Sequence, residues 1–296
     1  MTTPDSLEDH VHAHRRYLLG VAYRLLGSIT DAEDALQEAW LRARDTDLDT
    51  VRDVRSWLTV IVTRICLDVL KSSRVQRERY IGEWLPEPIV DEGDVGGGPA
   101  DPADRVSLDD SVSLALLVVL ERLSPAERTA FVLHEVFGLP FETIAQAVGR
   151  TPAACRQLAS RARRHVQAEA PRFDADRTEH QRVVGAFADA AAHGSLQALL
   201  GVLDPDVVLR SDGGGKVPAR KEPLVSAPAV AALVLGVMDL RPDTTFRVAD
   251  VNGQPGLVTI NDGRVSGVIA FAVAAGRVTE LQFLMNPDKL RHVTVH

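Results

Sequence analysis

Two all-α modules followed by an α+β domain is the multidomain fold class this chain predicts, and three observations carry it. Apolar residues recur at helical spacing through 5–80 and again through 112–170. Between them the pattern collapses into a Gly-, Pro- and Asp-rich stretch over 81–111 that reads as a linker. Beyond about residue 174, two helical segments give way to short β-rich runs separated by Gly, Asn and Asp turns. A chain of 296 residues with 45% hydrophobic content has room for two or three cores, consistent with domains at 5–80, 112–170 and 174–296.

The first module shows its clearest stripe at Ala32, Ala35, Leu36, Ala39, Trp40 and Ala43, expected to face a core, with Thr30 or Asp31 as the cap. The opposite side carries Asp31, Glu33, Asp34 and Glu38, negative charge where a helix start favours it. A second helix follows from Val54 through Leu70, with Leu58, Ile61, Val62, Ile65 and Val69 inward. It ends in a basic run, Lys71, Arg74, Arg77 and Arg79 against Glu78, which forms one candidate nucleic-acid surface. The linker is acidic: 91–110 holds seven Asp or Glu and only Arg105. Within it, Trp84-Leu85-Pro86 sets a large aromatic beside a rigid proline, a pattern better suited to docking on another domain than to free coil.

The second module writes out a helix-turn-helix. Ser124-Pro125 with Glu127 starts a helix, Gly138-Leu139-Pro140 breaks it, Phe141 to Val148 forms a short second helix, and Gly149 suits the turn. Thr151-Pro152 starts the third helix, where Cys155, Leu158, Ala159, Ala162 and Val166 share one face and Arg156, Gln157, Ser160, Arg163 and Arg164 the other. Between 151 and 172 there are five arginines against Glu169 alone, in a chain whose formal net charge is −8. Local field rather than total charge decides binding, so this face is expected to hold DNA in a major groove.

The C-terminal domain is expected to open with helices at 176–192 and 195–203. Strands are expected at 207–209, 246–251, 257–260, 268–273 and 278–284, with a helix at 228–238. Its Asp212-Gly-Gly-Gly-Lys216 segment lacks the first glycine and the final hydroxyl of a nucleotide-binding loop, since Arg210 and Val217 stand there, and reads as a glycine-built turn. His193, Asp239, Asp250 and Asp262 show no spacing that enforces joint proton transfer, so no catalytic residue is assigned. Of His10, His12 and His14 only His10 and His14 share a helix face, and no carboxylate geometry is evident, so no metal site is expected, and no cofactor. Cys66 and Cys155 sit on apolar helix faces as small core residues. The start of the chain lacks the pattern of a signal peptide and no apolar run reaches membrane-spanning length; a soluble cytoplasmic protein with no membrane partner is the expectation.

On these residues the chain resembles the extracytoplasmic-function sigma factors, bacterial promoter-specificity subunits of RNA polymerase. AYRLLGSITDAEDALQEAWLRA (22–43) is similar to the region-two helix that binds polymerase, RDVRSWLTVIVTRICLDVLKSSR (52–74) to the promoter-melting helix, and 112–170 to region four. The resemblance implies core RNA polymerase and promoter DNA as partners, with catalysis belonging to the polymerase. It assigns polymerase binding to Asp31, Glu33, Asp34, Gln37 and Glu38. It assigns the downstream promoter element to Arg64, Lys71, Arg74 and Arg77, Arg64 standing where many members have Asn, with Tyr80 as a nearby aromatic and Trp57 another that reads better as core. The upstream element falls to Thr151, Arg156, Gln157, Ser160, Arg163 and Arg164, with Arg156 or Gln157 reaching base edges. The last domain resembles the SnoaL-like cone that a subgroup of these factors carries. Three marks of that subgroup stand here: WLPEP (84–88), DGGGK (212–216) and NPDKL (286–290). They imply a regulatory contact between domains made by Trp84, Leu85, Pro86, Asp212, Lys216, Asn286, Pro287, Asp288 and Lys289, with a small-molecule ligand in the cone able to bias it.

Overall fold

In the computed structural model the described residues are 7–47, 50–77, 80–91, 112–169 and 176–294, without the side chains of 7–11, 73–77 and Glu169. They group into two compact units. Of the described residues, the first comprises 7–47, 50–77 and 119–169, and the second 80–91, 112–118 and 176–294.

In the first unit, helices α1 (Leu7–Leu26), α2 (Ile29–Ala43) and α3 (Val54–Arg77) pack around Leu18, Val21, Leu25, Ala35, Leu58 and Val62, all nearly inaccessible to water. The α2 cap is Ser28, whose Oγ accepts the Asp31 amide at 3.1 Å, and not Thr30 or Asp31. The reason is that the helix begins at Ile29, so the earlier hydroxyl meets the first free amides. Trp40 also departs from its expected place in the core stripe: it is 37% exposed, and its neighbour Leu41 is 43% exposed. The small residues Ala32, Ala35, Ala39 and Ala43 bring α2 close to its neighbours and leave no space for an indole.

Helix α4 spans Leu114–Leu120. Helix α5 (Pro125–Phe131) begins with a complete capping box, the Ser124 hydroxyl accepting from Glu127 N–H while the Glu127 carboxylate receives the Ser124 amide. Its last turn widens into a π-helical segment, Val132–Val136, before the Gly138 break. Helix α6 (Phe141–Val148) ends on Gly149 at φ 69°, a left-handed cap that a side chain would strain, and α7 (Pro152–Glu169) follows.

These two helical sets, expected as separate modules, lie in one unit. Helix α3 packs against α6 and α5, Tyr17 meets Phe137 edge-to-face at 5.4 Å, and Arg64 donates to the Gln146 carbonyl at 2.9 Å. Arg128, only 2% exposed, donates through Nε and Nη2 to the Arg24 carbonyl at 3.3 Å and is paired with Glu121.

The second unit is built on a seven-stranded sheet in the order β1-β4-β5-β6-β7-β2-β3. The strands are β1 (Val90–Asp91), β2 (Leu203–Asp212), β3 (Leu224–Val225), β4 (Thr245–Val251), β5 (Gln254–Asn261), β6 (Arg264–Ala274) and β7 (Arg277–Leu284); β2 and β7 pair in parallel and the other neighbours antiparallel. Helices α8 (Arg177–Ala192), α9 (Leu196–Val202) and α10 (Ala227–Leu240) cover one face, and Phe187, Leu199, Val230, Leu257, Phe271 and Leu281 form its core. The helices and long strands fall within a few residues of expectation. The linker does not: 80–91 is built into this unit, with β1 pairing Val90 and Asp91 to Val251 and Asp250, while 92–111 lies outside the described residues. Composition marks that segment as irregular, but an extended Trp-Leu-Pro strap needs no period of its own when an existing sheet supplies its partners.

Candidate nucleic-acid interface and a buried clasp

On α7 the spacing of Arg156, Ser160 and Arg163 makes one stripe, flanked by Gln157 and Arg164, and all five are exposed. Cys155, Leu158, Ala159 and Ala162 anchor the opposite face, each at most 7% exposed; Val166 is half-buried. Thr151 is exposed and its hydroxyl accepts the Ala154 amide at 3.2 Å, so its described role is to cap the helix. The arginines are held by surface acids. Arg163 makes two bonds to Glu135 at 2.5 and 2.6 Å, Arg161 pairs with Glu127 at 3.0 Å, and Arg156 lies 3.8 Å from Glu142 and over the Phe141 ring. Such exposed pairs are weak and exchange readily for phosphate, so they orient the cations without consuming them.

The end of α3 carries Lys71, paired with Asp68 at 3.0 Å, while the side chains of Arg74 and Arg77 lie outside the described residues. Arg64 is exposed but held by the Gln146 carbonyl, and Trp57 is half-buried. On α2, Glu33, Asp34 and Gln37 are exposed, with Asp31 and Glu38 half-buried. Glu38 pairs with Arg42 at 2.8 Å and Glu33 with Arg15 at 3.4 Å. Glu33, Gln37, Trp40 and Leu41 follow one another at helical spacing, so the acidic face is also an apolar one.

The densest polar arrangement is in the second unit. Asp212, wholly buried, accepts from four donors: Tyr80 Oη at 2.6 Å and the Gly214 amide at 2.9 Å on Oδ1, and the Leu85 amide at 3.0 Å and Lys289 Nζ at 2.7 Å on Oδ2. Lys289 also donates to the Leu85 carbonyl and sits 4.0 Å from the centre of the Trp84 ring. Asn286 donates to Tyr80 Oη at 2.9 Å, His292 Nε2 meets the Pro88 carbonyl at 2.6 Å, and Asn252 brackets Ile89 through both its backbone and side chain. Arg210 bridges Glu83 and Glu280. Leu85, Pro86, Glu87 and Pro88 are all buried. Lys216 pairs with Asp288 at 2.5 Å at the surface, which with Arg291 lowers the Asp288 carboxyl below its ordinary range, and Pro287 lies between Asn286 and Asp288 on the same segment. Gly214, at φ 64°, has Asn286 where a Cβ would stand at 2.5 Å, which explains a glycine there.

Burial and the hydrogen bond to Asp212 raise the Tyr80 phenol well above the tyrosine range. Because the fold favours the neutral phenol, its stabilising contribution is intact below about pH 10 and lost as pH rises through the raised value. The ultraviolet ionisation curve of the wild type, less that of Tyr80→Phe, should contain a late phase; ionisation near pH 10 would contradict the buried position.

The comparisons with known proteins read along the same lines. The Sigma-70 region 2 model matches residues 10–75 and the Sigma-70, region 4 model residues 113–166. The probable ECF RNA polymerase sigma factor SigI of Mycobacterium tuberculosis is 40% identical over 98% of this chain and 97% of its own length. This chain belongs to the extracytoplasmic-function RNA polymerase sigma factors. SigJ of the same organism is 40% identical over 94% of this chain and 91% of its own. The SigJ crystal structure matches with a TM-score of 0.77 at 38% identity, covering 96% of this chain and 98% of that one.

As a sigma factor the protein directs promoter-specific initiation of transcription. Its site residues sort differently from expectation in two places. Tyr80, considered for single-stranded DNA, belongs to the clasp on Asp212. The partners expected to meet across domains, Trp84 to Pro86 with Asp212, Asn286 and Lys289, meet inside the second unit because the strap is part of it. Sequence reasoning missed Trp40 as a surface residue and Arg210, Asn252 and His292 as clasp members; only the alanine-rich stripe of α2 hinted at the first. The second unit also holds a cavity of about 900 Å³, mostly apolar, among whose described lining residues there is no Asp, Glu or His. His193, Asp239 and Asp262 are exposed, and Asp250 pairs with Arg177 at 2.6 Å. Among the described residues no three His, Cys, Asp or Glu side chains cluster as a metal site, and no helix is long and apolar enough to cross a membrane.

Proposed function

We propose that this sigma factor docks on core RNA polymerase through the α2 face around Glu33, Asp34, Gln37 and Trp40, and reads promoter DNA with the α7 arginines and the basic end of α3. In this reading it works in the cytoplasm. Its C-terminal domain regulates it in cis by gripping the strap at 80–91. The observation that carries the reading is the buried Asp212–Lys289 pair closed on the Leu85 backbone, in a segment that follows the end of α3 at Arg77 almost directly. A grip there governs how freely α3 and the helix-turn-helix exchange their mutual packing for DNA and polymerase, by tethering at high local concentration.

Run-off transcription with purified core polymerase tests it, comparing the full chain with Lys289→Met and Asp212→Asn at equal folded protein. Changed output from both variants supports cis regulation; output equal to wild type from both overturns it. Trp40→Ala should weaken core binding by about 1–3 kcal/mol, as for an aromatic anchor at an interface, in a direct affinity measurement. Arg156→Ala should alter preference among promoter sequences by about 1–3 kcal/mol if it reads a base, whereas Arg163→Ala should reduce the slope of log affinity against log salt by roughly 0.9 on every sequence. A uniform loss from Arg156→Ala would reassign that residue to the phosphates.

A further inference from the structure

The cavity of the second unit has an unusual combination of walls. Its body is apolar, with Phe187, Leu233, Phe246, Ile269 and Phe283 among the lining residues, and its volume of about 900 Å³ suits a small organic molecule. Among its described lining residues the charged ones are Arg220, Arg241 and Arg264, all exposed. None of their guanidinium groups has a hydrogen bond or ion pair to a described residue. Among the described lining residues there is no carboxylate or imidazole, the groups that most often move protons in hydrolysis or isomerisation.

The C-terminal segment connects this cavity to the clasp, because it shows a different set of residues to each. Met285, Pro287, Leu290 and Val293 line the cavity. Asn286, Lys289 and His292, between them, hold Tyr80, the Leu85 carbonyl and the Pro88 carbonyl. Strand β2 is divided in the same way, Leu209 and Ser211 lining the cavity while Arg210 and Asp212 bind the strap.

We propose that the cavity binds, without turning over, an apolar molecule that carries one anionic group, and that occupancy changes the grip on 80–91. The hydrocarbon body displaces water from the apolar wall, and the anion takes the unpaired arginines. Any shift of Leu290 or Pro287 to admit the ligand moves Lys289 and Asn286 with it, since both belong to one short segment. The coupling rests on the regulatory reading above; the ligand chemistry does not.

Calorimetric titration of the full chain with decanoate, decan-1-ol and acetate separates the two requirements. Decanoate is expected to bind at least ~10-fold more tightly than decan-1-ol, acetate not measurably, and Arg241→Met/Arg264→Met to remove the preference for decanoate. Amide exchange at Leu85 and Ile89, measured with and without saturating decanoate, reads the clasp. Equal binding of the acid and the alcohol overturns the anion, and absence of binding by either overturns the site. Binding with unchanged exchange overturns the coupling alone. Should the Lys289 and Asp212 variants alter transcription while decanoate fails to bind, the regulatory reading stands and the ligand class falls.

Discussion

Lys289→Met is expected to destabilise the C-terminal unit by about 3–5 kcal/mol, the range for removing one partner of a buried ion pair. The Lys289 side chain is 8% exposed and its ammonium serves the Asp212 carboxylate and the Leu85 carbonyl. Methionine keeps the length of the side chain and its packing against Trp84, so what is lost is charge and hydrogen bonding. Asp212 then keeps three neutral donors for a charge with no access to water. Asp212→Asn should cost a comparable amount by taking the buried carboxylate away from the lysine. The double variant should cost clearly less than the sum, because each change removes the partner the other needs. Urea denaturation followed by tryptophan fluorescence gives all three values, and amide exchange at Leu85 tells whether the strap is released. A loss under about 1 kcal/mol from either single change would mean that water, not the counter-ion, satisfies the remaining partner.

Arg128→Met is expected to cost the helical unit a similar 3–5 kcal/mol, for a different reason. Arg128 belongs to α5, yet its guanidinium reaches the Arg24 carbonyl on α1, so one side chain ties the helix-turn-helix to the first three helices. Burial lowers its pKa to about 9, which still leaves it a cation at neutral pH. The sign follows: the fold disfavours the charged form, so burying it is itself costly, and the ion pair of Arg128 with Glu121 and its hydrogen bonds to the Arg24 carbonyl offset that cost. Removing the cation alone takes the Arg128 ion pair from Glu121 and the guanidinium hydrogen bonds from the Arg24 carbonyl. Replacing Glu121 by Leu as well should recover much of the stability. Denaturation of the two variants checks both statements, and no recovery in the double variant would show the loss to be one of packing.

Much of the molecule was legible because its signals are local. The capping box at Ser124, the left-handed glycine at 149 and the arginine stripe of α7 each depend on residues within one or two turns, and each appears where spacing places it. The strap was legible only as an anomaly. Trp84-Leu85-Pro86 stood out against an acidic, Gly-rich background, but an extended segment has no period to show what it pairs with, and its partners lie more than 120 residues away at Asp212 and more than 200 away at Lys289. Trp40 failed for the opposite reason: its spacing fits the apolar stripe of α2, and only the closeness of the neighbouring helices sends it outward.

By itself the amino-acid sequence determined the helices, the long strands, the helix-turn-helix and its charged face, since propensity, capping and periodicity act between residues a few positions apart. Tertiary structure alone decided that the two helical sets share one unit, that 80–91 is a strap of the last domain and not a tether, and that Asp212 and Lys289 meet without water. Those outcomes depend on which surfaces come together, and burial, not sequence distance, sets the strength of a charge pair.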